Sequence, residues 1–158
     1  MVSTERPALI AAVFVVLRRR RENVREVLVQ LRSGTSYMNG HWACGAAGHL
    51  EAGEDVFEAA AREAREELGV DLDARDLIPL TVVHVSEGAD PVGQRVHFFF
   101  ACDHWLGEPA IREHDRTAEL AWVDITRLPK PMVPHEERVL RALAAGDLPH
   151  VMTYGWPA

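Results

Sequence analysis

One segment constrains the fold more than any other, because its sequence specifies both ends of a helix. Asp55 is followed three residues later by Glu58, the spacing of a capping box at a helix N-terminus. Residues 56–68 contain no glycine or proline and are rich in alanine, glutamate, arginine and leucine, which favour a helix. Gly69 suits the left-handed conformation that ends many helices. The sequence therefore predicts a helix over Val56–Leu68.

This predicted helix carries an apolar stripe beside an acidic one. At about 100° per residue, the side chains expected on the core are Phe57, Ala60, Ala64 and Leu68. The neighbouring stripe consists of Glu63, Glu66 and Glu67. Like charges four residues apart destabilise an isolated helix by about 0.2–0.5 kcal/mol, and the helix dipole disfavours acids near the C-terminus. Arg62 and Arg65 offset part of this repulsion.

Two interpretations of the acidic stripe compete. A run of charges is most often a solvated helix face. Alternatively, the carboxylates form a site for a hard divalent cation such as Mg²⁺, which prefers oxygen ligands and phosphate co-ligands. The preceding residues favour the second interpretation, because Gly48 and Gly53 bracket a tight, acid-containing loop that runs directly into the helix.

The segment Gly48–Val70 resembles the signature of the Nudix hydrolases: glycine, five residues, glutamate, seven residues, then R-E-U-x-E-E-x-G-U, where U is a bulky aliphatic residue. Here the signature begins at Gly48, continues at Glu54 and ends in the run Arg62-Glu63-Ala64-Arg65-Glu66-Glu67-Leu68-Gly69-Val70. Every fixed position matches, and the one weak position is Ala64 at the first aliphatic site. A match at so many fixed spacings is far more specific than a lone glycine motif.

The resemblance implies a metal-dependent hydrolase that cleaves the diphosphate linkage of a nucleoside diphosphate joined to a further group X. The implied cofactor is Mg²⁺ or Mn²⁺. Its implied ligands are Glu63, Glu66, Glu67 and the carbonyl group of Gly48. Arg62 is implied to orient the glutamates, with Glu54 supporting it. The general base is either one of these acids or a loop acid, Glu113 or Glu119.

The substrate is less constrained by sequence. Some Nudix subfamilies carry a proline or tyrosine about 15–17 residues after the signature, marking ADP-ribose or dinucleoside polyphosphate substrates. Residues Val85, Ser86 and Glu87 occupy those positions here. The expectation is therefore a nucleoside or deoxynucleoside triphosphate pyrophosphohydrolase similar to the MutT branch. The alternatives are a nucleotide-sugar or ADP-ribose-type pyrophosphatase and a non-catalytic module that senses a nucleotide.

Composition and charge limit the classes of partner that the chain is expected to bind. A net charge of −7 argues against binding to nucleic-acid polymers. The apolar run Ala8–Leu17 is too short to span a bilayer and lacks the preceding basic residues of a signal peptide, so neither a membrane partner nor export is expected. Two cysteines, Cys44 and Cys102, do not form a disulfide framework, which favours a cytoplasmic setting.

Five strands and a second helix complete the expected order. The predicted strands are Ala8–Leu17, Val24–Arg32, Leu77–Ser86, Arg95–Cys102 and Ala118–Val123, the last taken as final. Arg18–Asn23 is expected to form a solvated charged turn, the alternative being contact with substrate phosphates, and Glu87–Gln94 is expected to form another turn. His135–Ala145 is an amphipathic helix. The apolar tail Asp147–Ala158 is expected to pack on the body or on a partner, which leaves a homodimer open.

By resemblance, this order implies the Nudix fold of the α/β (α+β) class. That fold is an α/β/α sandwich with a mixed β-sheet between helical layers. A single domain is expected over residues 1–158.

Overall fold

The computed structural model describes residues 6–86 and 93–157. These residues form eight strands and two α-helices. The elements are β1 (Ile10–Arg21), β2 (Val24–Arg32), β3 (Trp42–Cys44), β4 (Ala46–His49), α1 (Val56–Leu68), β5 (Ile78–Ser86), β6 (Gln94–Cys102), β7 (Thr117–Asp124), α2 (Pro134–Ala145) and β8 (Val151–Tyr154). One turn of 3-10 helix, Ala74–Asp76, follows α1 within the predicted polar connection. The predicted turn Glu87–Gln94 lies largely outside the described residues.

The strands form one mixed sheet. Its order is β3-β2-β1-β6-β5-β8, with β4 paired to β1 and β7 paired to β2. The pairs β1/β6 and β5/β8 are parallel, and the remaining pairs are antiparallel. The predicted mixed sheet is therefore confirmed.

Strand β1 divides the core into two layers, because alternate side chains of a strand point to opposite faces. Val13, Val15 and Leu17 pack with the buried face of α1. Ala12, Phe14 and Val16 pack with Val139 and Leu140 of α2. The sheet thus lies between two helices, as the sandwich architecture requires. A strand covered on both faces explains why the run is continuously apolar.

Helix α1 begins and ends where the sequence predicts. The Asp55 carboxylate accepts hydrogen bonds from the backbone N–H groups of Phe57 and Glu58, both 2.9 Å long. The Glu58 carboxylate accepts one from the Asp55 N–H at 2.9 Å, completing the capping box. Gly69 ends the helix with φ 69°. Of the four residues expected on the core, Phe57 is 36% exposed and packs only at the margin, against Phe100.

The arginine-rich segment after the apolar run belongs to a strand, so the predicted turn over Arg18–Asn23 is wrong for its first four residues. Strand β1 continues to Arg21, and these residues pair in register with the start of β2. Only Glu22 and Asn23 form the turn, both with positive φ. Pairing with β2 therefore continues the strand beyond its apolar stretch.

The C-terminal tail contains an additional strand, so the expectation that Ala118–Val123 is the final strand is wrong. Val151–Tyr154 forms β8, which pairs in parallel with β5. The Trp156 indole N–H donates to the His84 carbonyl group at 3.1 Å. The expected packing of the tail on the body is therefore confirmed. Helix α2 starts at Pro134, one residue earlier than expected, since proline is well suited to a first helical turn.

Candidate active site

The centre of the site is the contact between strand β4 and helix α1. Gly48 on β4 pairs with Val13 of β1, and its backbone lies against the Glu63 side chain. A Cβ atom placed on Gly48 would lie 2.0 Å from Glu63 Oε1. Only glycine therefore leaves room for this carboxylate, which is 8% exposed. This contact gives a structural reason for a glycine at the first position of the signature.

Arg62 joins the loop to the helix. Its Nη2 and Nε atoms donate to the two oxygens of Glu54 at 2.7 and 3.0 Å. Its Nη1 atom donates to Glu63 at 2.7 Å and to Glu66 at 3.2 Å, and Nη2 also donates to the His49 carbonyl group at 2.9 Å. One guanidinium thus fixes two of the three signature glutamates of α1. These hydrogen bonds also lower the pKa of Glu54.

Glu67 lies deeper in the molecule than Glu66. Its Oε2 atom accepts hydrogen bonds from Gln30 Nε2 at 3.2 Å and from the Ala47 N–H at 3.3 Å. Burial, with the Glu63 charge adding to it, raises the pKa of Glu67 to about 8. Burial also raises the pKa of Glu63, although Arg62 acts in the opposite direction. The two carboxylates therefore share a desolvated region in which negative charge is insufficiently compensated.

Hard divalent cations fit this donor set. The groups that converge on the contact between β4 and α1 are carboxylate oxygens, which Mg²⁺ and Mn²⁺ prefer. A cation there would compensate the buried negative charge that desolvation, with a smaller contribution from repulsion, disfavours. Within the described part of the chain, however, no three His, Cys, Asp or Glu side chains are grouped so that together they could hold a metal ion. Glu66, with a side chain 55% exposed, points the least into the protein.

Gln30 is a site residue that the sequence analysis missed. Its amide Nε2 also donates to the carbonyl groups of Cys44 and Gly45, both at 3.1 Å, and its Oε1 atom accepts from the Thr117 hydroxyl group at 2.7 Å. Gln30 is thereby oriented to present an N–H to Glu67. A polar residue within the buried part of a strand was the only available signal.

A cavity of about 410 Å³ opens beside Glu67. Its basic side chains are Arg32, Arg95 and Arg116. Glu113 also lines it, and its charge contributes to the raised pKa values of Glu63 and Glu67. Glu119 lies elsewhere: it is exposed on β7, opposite Leu31 of β2, and does not line the cavity. The structure thus brings only one of the two candidate loop acids to the signature glutamates.

The inner part of this cavity is aromatic. His97 and His135 are each 5% exposed, and their ring centroids lie 5.0 Å apart. Phe14 contacts both rings, at centroid distances of 4.7 and 5.7 Å. Burial lowers the pKa of His97 to about 3 and that of His135 to about 4. Both imidazoles are therefore neutral at pH 7. The sequence analysis identified neither histidine as a site residue.

Glu136 lies next to this aromatic wall at the start of α2. Its Oε2 atom accepts a hydrogen bond of 2.5 Å from the Cys44 backbone N–H. Burial raises its pKa to about 7, against the effects of this hydrogen bond and of Arg32. The side chain lines the cavity together with Glu67 and Glu113. Three acids therefore surround a space that three arginines also enter.

Comparison with known protein families matches residues 8–143 to the NUDIX domain. This chain belongs to the Nudix hydrolase family. The matched range includes the signature, strands β1 to β7, helix α1 and all of α2 except its last two residues.

Similar proteins include two curated sequences. An ADP-ribose pyrophosphatase from Methanocaldococcus jannaschii is 33% identical over 90 residues, which cover 57% of this chain and 50% of that protein. The uncharacterized Nudix hydrolase YvcI from Bacillus subtilis is 26% identical over 107 residues, covering 67% of this chain and 66% of that protein. The chain therefore matches about half of the first relative and about two thirds of the second.

Solved Nudix structures share the fold. A MutT Nudix hydrolase from Burkholderia pseudomallei has a TM-score of 0.73 and 25% identity, covering 85% of this chain and 97% of that one. The Nudix domain of Shewanella oneidensis NrtR, crystallised with ADP ribose, has a TM-score of 0.70 and 15% identity, covering 88% of each chain. At that identity, the second likeness concerns the fold alone. Both comparisons support the α/β/α sandwich of this Nudix hydrolase.

The described residues of this Nudix hydrolase contain no helix that is both long and apolar enough to cross a membrane.

Proposed function

We propose that this Nudix hydrolase cleaves the diphosphate linkage of a small nucleotide with the help of Mg²⁺ or Mn²⁺. The observation that carries the proposal is the pair Glu63 and Glu67, two carboxylates with raised pKa values beside an arginine-lined cavity. Buried acids of this kind are destabilised by their own charge and are stabilised by a bound cation. Their place in an intact Nudix signature supports the same assignment.

The proposed cation ligands are Glu63, Glu66 and Glu67, with the Gly48 carbonyl group as an additional ligand. When bound, a divalent cation offsets the negative charge of the phosphates and lowers the pKa of a water molecule. Arg62 holds Glu63 and Glu66 in place through its hydrogen bonds to both carboxylates. Glu54 in turn fixes the Arg62 guanidinium, so it acts as a positioning residue.

The cavity supplies the groups that a nucleotide requires. Arg32, Arg95 and Arg116 offer guanidinium donors, which suit phosphate oxygens. Glu113, one of two cavity-lining acids outside the signature, is the proposed acceptor of a proton from the attacking water. The neutral rings of His97 and His135, with Phe14, form a cluster of mutually tilted rings against which a nucleobase can pack. The cavity thus combines charged groups with a buried aromatic cluster.

The first candidate substrate is a nucleoside or deoxynucleoside triphosphate. The Gly48–Val70 segment provides one acidic cluster, and G-x-x-x-x-G-K-[ST], the loop that cradles terminal phosphates, is absent from the sequence. Water is therefore proposed to attack within the diphosphate bridge, which releases a nucleoside monophosphate and pyrophosphate. The second candidate is ADP-ribose, favoured by the similarity to the pyrophosphatase from Methanocaldococcus jannaschii.

A substrate screen tests this proposal. Nucleoside and deoxynucleoside triphosphates, ADP-ribose and nucleotide sugars are incubated with the protein in Mg²⁺, Mn²⁺ or EDTA, and phosphate, pyrophosphate and nucleotide products are quantified. The expected result is metal-dependent cleavage of at least one compound within its diphosphate bridge. Reactions in ¹⁸O-labelled water then locate the attacked phosphorus atom by mass spectrometry.

Two results would contradict the proposal. Inorganic phosphate as the sole first product from a triphosphate would indicate a simple phosphatase. Tight nucleotide binding without turnover of any compound in either metal would instead favour a non-catalytic sensing module, which keeps the fold but not the chemistry.

A further inference from the structure

A second cavity, of about 510 Å³, lies at the hairpin formed by β1 and β2. It shares no lining residue with the cavity beside Glu67. Phe14 lines the first cavity, and Arg18 and Arg20, which line the second, follow it on the extended strand by four and six residues, or by roughly 13 and 20 Å. The arginines of the hairpin therefore do not reach the proposed catalytic site, and their role has to be sought locally.

Four arginines and only two acids line this second cavity. The arginines are Arg18, Arg19, Arg20 and Arg25, and the acids are Glu26 and Asp103. The Arg18 guanidinium binds Asp103 through two hydrogen bonds of 2.8 Å. Arg19 donates to Glu26 at 2.5 Å and lies over the Trp122 ring, 4.2 Å from its centroid. Both acids are thus already paired, and two arginines remain.

The two remaining arginines lie directly opposite each other. Arg20 on β1 and Arg25 on β2 are partners in the antiparallel register. Arg25 donates to the carbonyl group of Ala144 near the end of α2, at 3.0 Å. Arg20 makes no hydrogen bond or ion pair with any residue in the described parts of the chain. Like charges in directly opposite positions destabilise a pair of strands, so the isolated hairpin contains an unfavourable contact.

The floor of the cavity is apolar. Val27 and Ile125 are 1% and 4% exposed, and Leu143 of α2 completes the floor. A simple solvated hairpin end requires neither an apolar floor nor two opposed arginines. Places where the sequence violates a local rule of stability, such as two like charges facing each other, are concentrated at functional sites. A bound anion between Arg20 and Arg25 would resolve this conflict.

We propose that this second cavity binds a small dianionic phosphate ligand, either free phosphate or a phosphate monoester, through Arg20 and Arg25. The two unpaired guanidinium charges match a doubly charged phosphate group, and planar guanidinium groups donate two parallel hydrogen bonds to its oxygens. The organic part of a monoester would lie on Val27, Ile125 and Leu143. This site is separate from the proposed catalytic reaction and does not depend on it.

The test is calorimetric titration of inorganic phosphate and of adenosine 5′-monophosphate, in EDTA and low salt. Four proteins are compared: the wild type, R20Q/R25Q, the control R21Q/R127Q, and R32Q/R116Q in the other cavity. Arg21 and Arg127 are exposed and line neither cavity, so the control removes the same charge. Melting curves accompany each titration, and R20Q/R25Q is expected to melt at or above the wild-type temperature because the opposed charges are gone.

The proposal expects R20Q/R25Q to bind at least about tenfold more weakly, since charge-assisted hydrogen bonds are lost, while R21Q/R127Q and R32Q/R116Q retain the wild-type affinity at this site. Tighter binding of the monoester identifies an organic phosphate as the ligand, and equal binding identifies free phosphate. Equal affinities of R20Q/R25Q and R21Q/R127Q would overturn the proposal. So would the absence of measurable binding of either small phosphate to the wild type.

Discussion

Arg62 donates two parallel hydrogen bonds to Glu54, from Nη2 to Oε1 at 2.7 Å and from Nε to Oε2 at 3.0 Å. The pair ties the loop after β4 to helix α1. With the guanidinium held in this way, its Nη1 atom reaches both Glu63 and Glu66. The geometry of two proposed cation ligands therefore depends on a residue that need not contact the cation itself.

The first prediction follows from this arrangement. Arg62→Lys keeps the positive charge but cannot make the paired hydrogen bonds to Glu54 while also reaching Glu63. Loss of such an outer contact is expected to lower kcat/KM by about 10- to 100-fold. Steady-state kinetics with the substrate found in the screen would measure this effect. Arg65→Lys is the matched control, because among the described residues the Arg65 side chain pairs with the exposed Asp71 alone. Equal kinetics for both variants would contradict the positioning role.

The two loop acids should behave differently. Glu113 lines the cavity and Glu119 does not, so Glu113→Gln is expected to lower kcat by about 10²-fold or more, the usual contribution of a general base. Glu119→Gln should leave kcat unchanged while removing the same charge. Single-turnover measurements at saturating substrate would separate chemistry from product release. A loss of activity only in Glu119→Gln would reverse the assignment.

Divalent cations should stabilise the folded protein. A cation that binds only the native state at about 100 times its Kd adds about 2.7 kcal/mol, which for a domain of this size raises Tm by roughly 5–10 °C. Thermal denaturation with Mn²⁺ and with EDTA would show the shift. Glu63→Gln/Glu67→Gln should show none, and should melt higher than the wild type in EDTA because its buried sites are neutral. An equal Mn²⁺ shift in both proteins would place the cation elsewhere.

Glu136 should make stability depend on pH. Its pKa rises from 4.5 to about 7 on folding, so the folded state binds the extra proton between these values. The stabilisation of the neutral acid is present below pH 4.5 and is lost as pH rises to 7, by about 3 kcal/mol in total. Burial of His97 and His135 acts in the opposite direction, because their folded pKa values are lowered.

Glu136→Gln isolates this effect, because the histidines remain unchanged in the variant. Chemical denaturation from pH 4.5 to 8 should show the variant gaining stability relative to the wild type as pH rises. The difference should level off above pH 7. Parallel stability profiles for the two proteins would contradict a buried, raised-pKa Glu136.

Local signals made much of α1 predictable from the sequence. The capping residues Asp55 and Glu58 and the terminal Gly69 act within one helical turn, so their effect is visible without knowledge of the fold. The β8 strand could not be predicted in this way, because Val151–Tyr154 becomes a strand only by pairing with the distant β5. Strand β1 was predicted too short for the same reason, since its arginines are held by pairing with β2.

The candidate site likewise has one part that local sequence signals predict and another part that depends on contacts between distant residues. The signature residues lie on one helix and its preceding loop, so their proximity follows from sequence spacing. Gln30 and Thr117 meet across two paired strands, and Glu136 reaches Cys44 from a different layer of the sandwich. Such contacts depend on strand register and helix packing. The spacing of residues along the chain therefore does not predict these contacts.

The signature glutamates are proposed to hold the cation that drives cleavage of the diphosphate linkage. The turnover of Glu67→Gln in saturating Mg²⁺, with folding verified by thermal denaturation, tests this proposal. The substitution keeps the side-chain shape but removes the charge that a hard cation requires. The proposal predicts a loss of kcat of at least about 10²-fold in a folded protein. A loss of less than about tenfold, equivalent to about 1.4 kcal/mol of transition-state stabilisation, would contradict it.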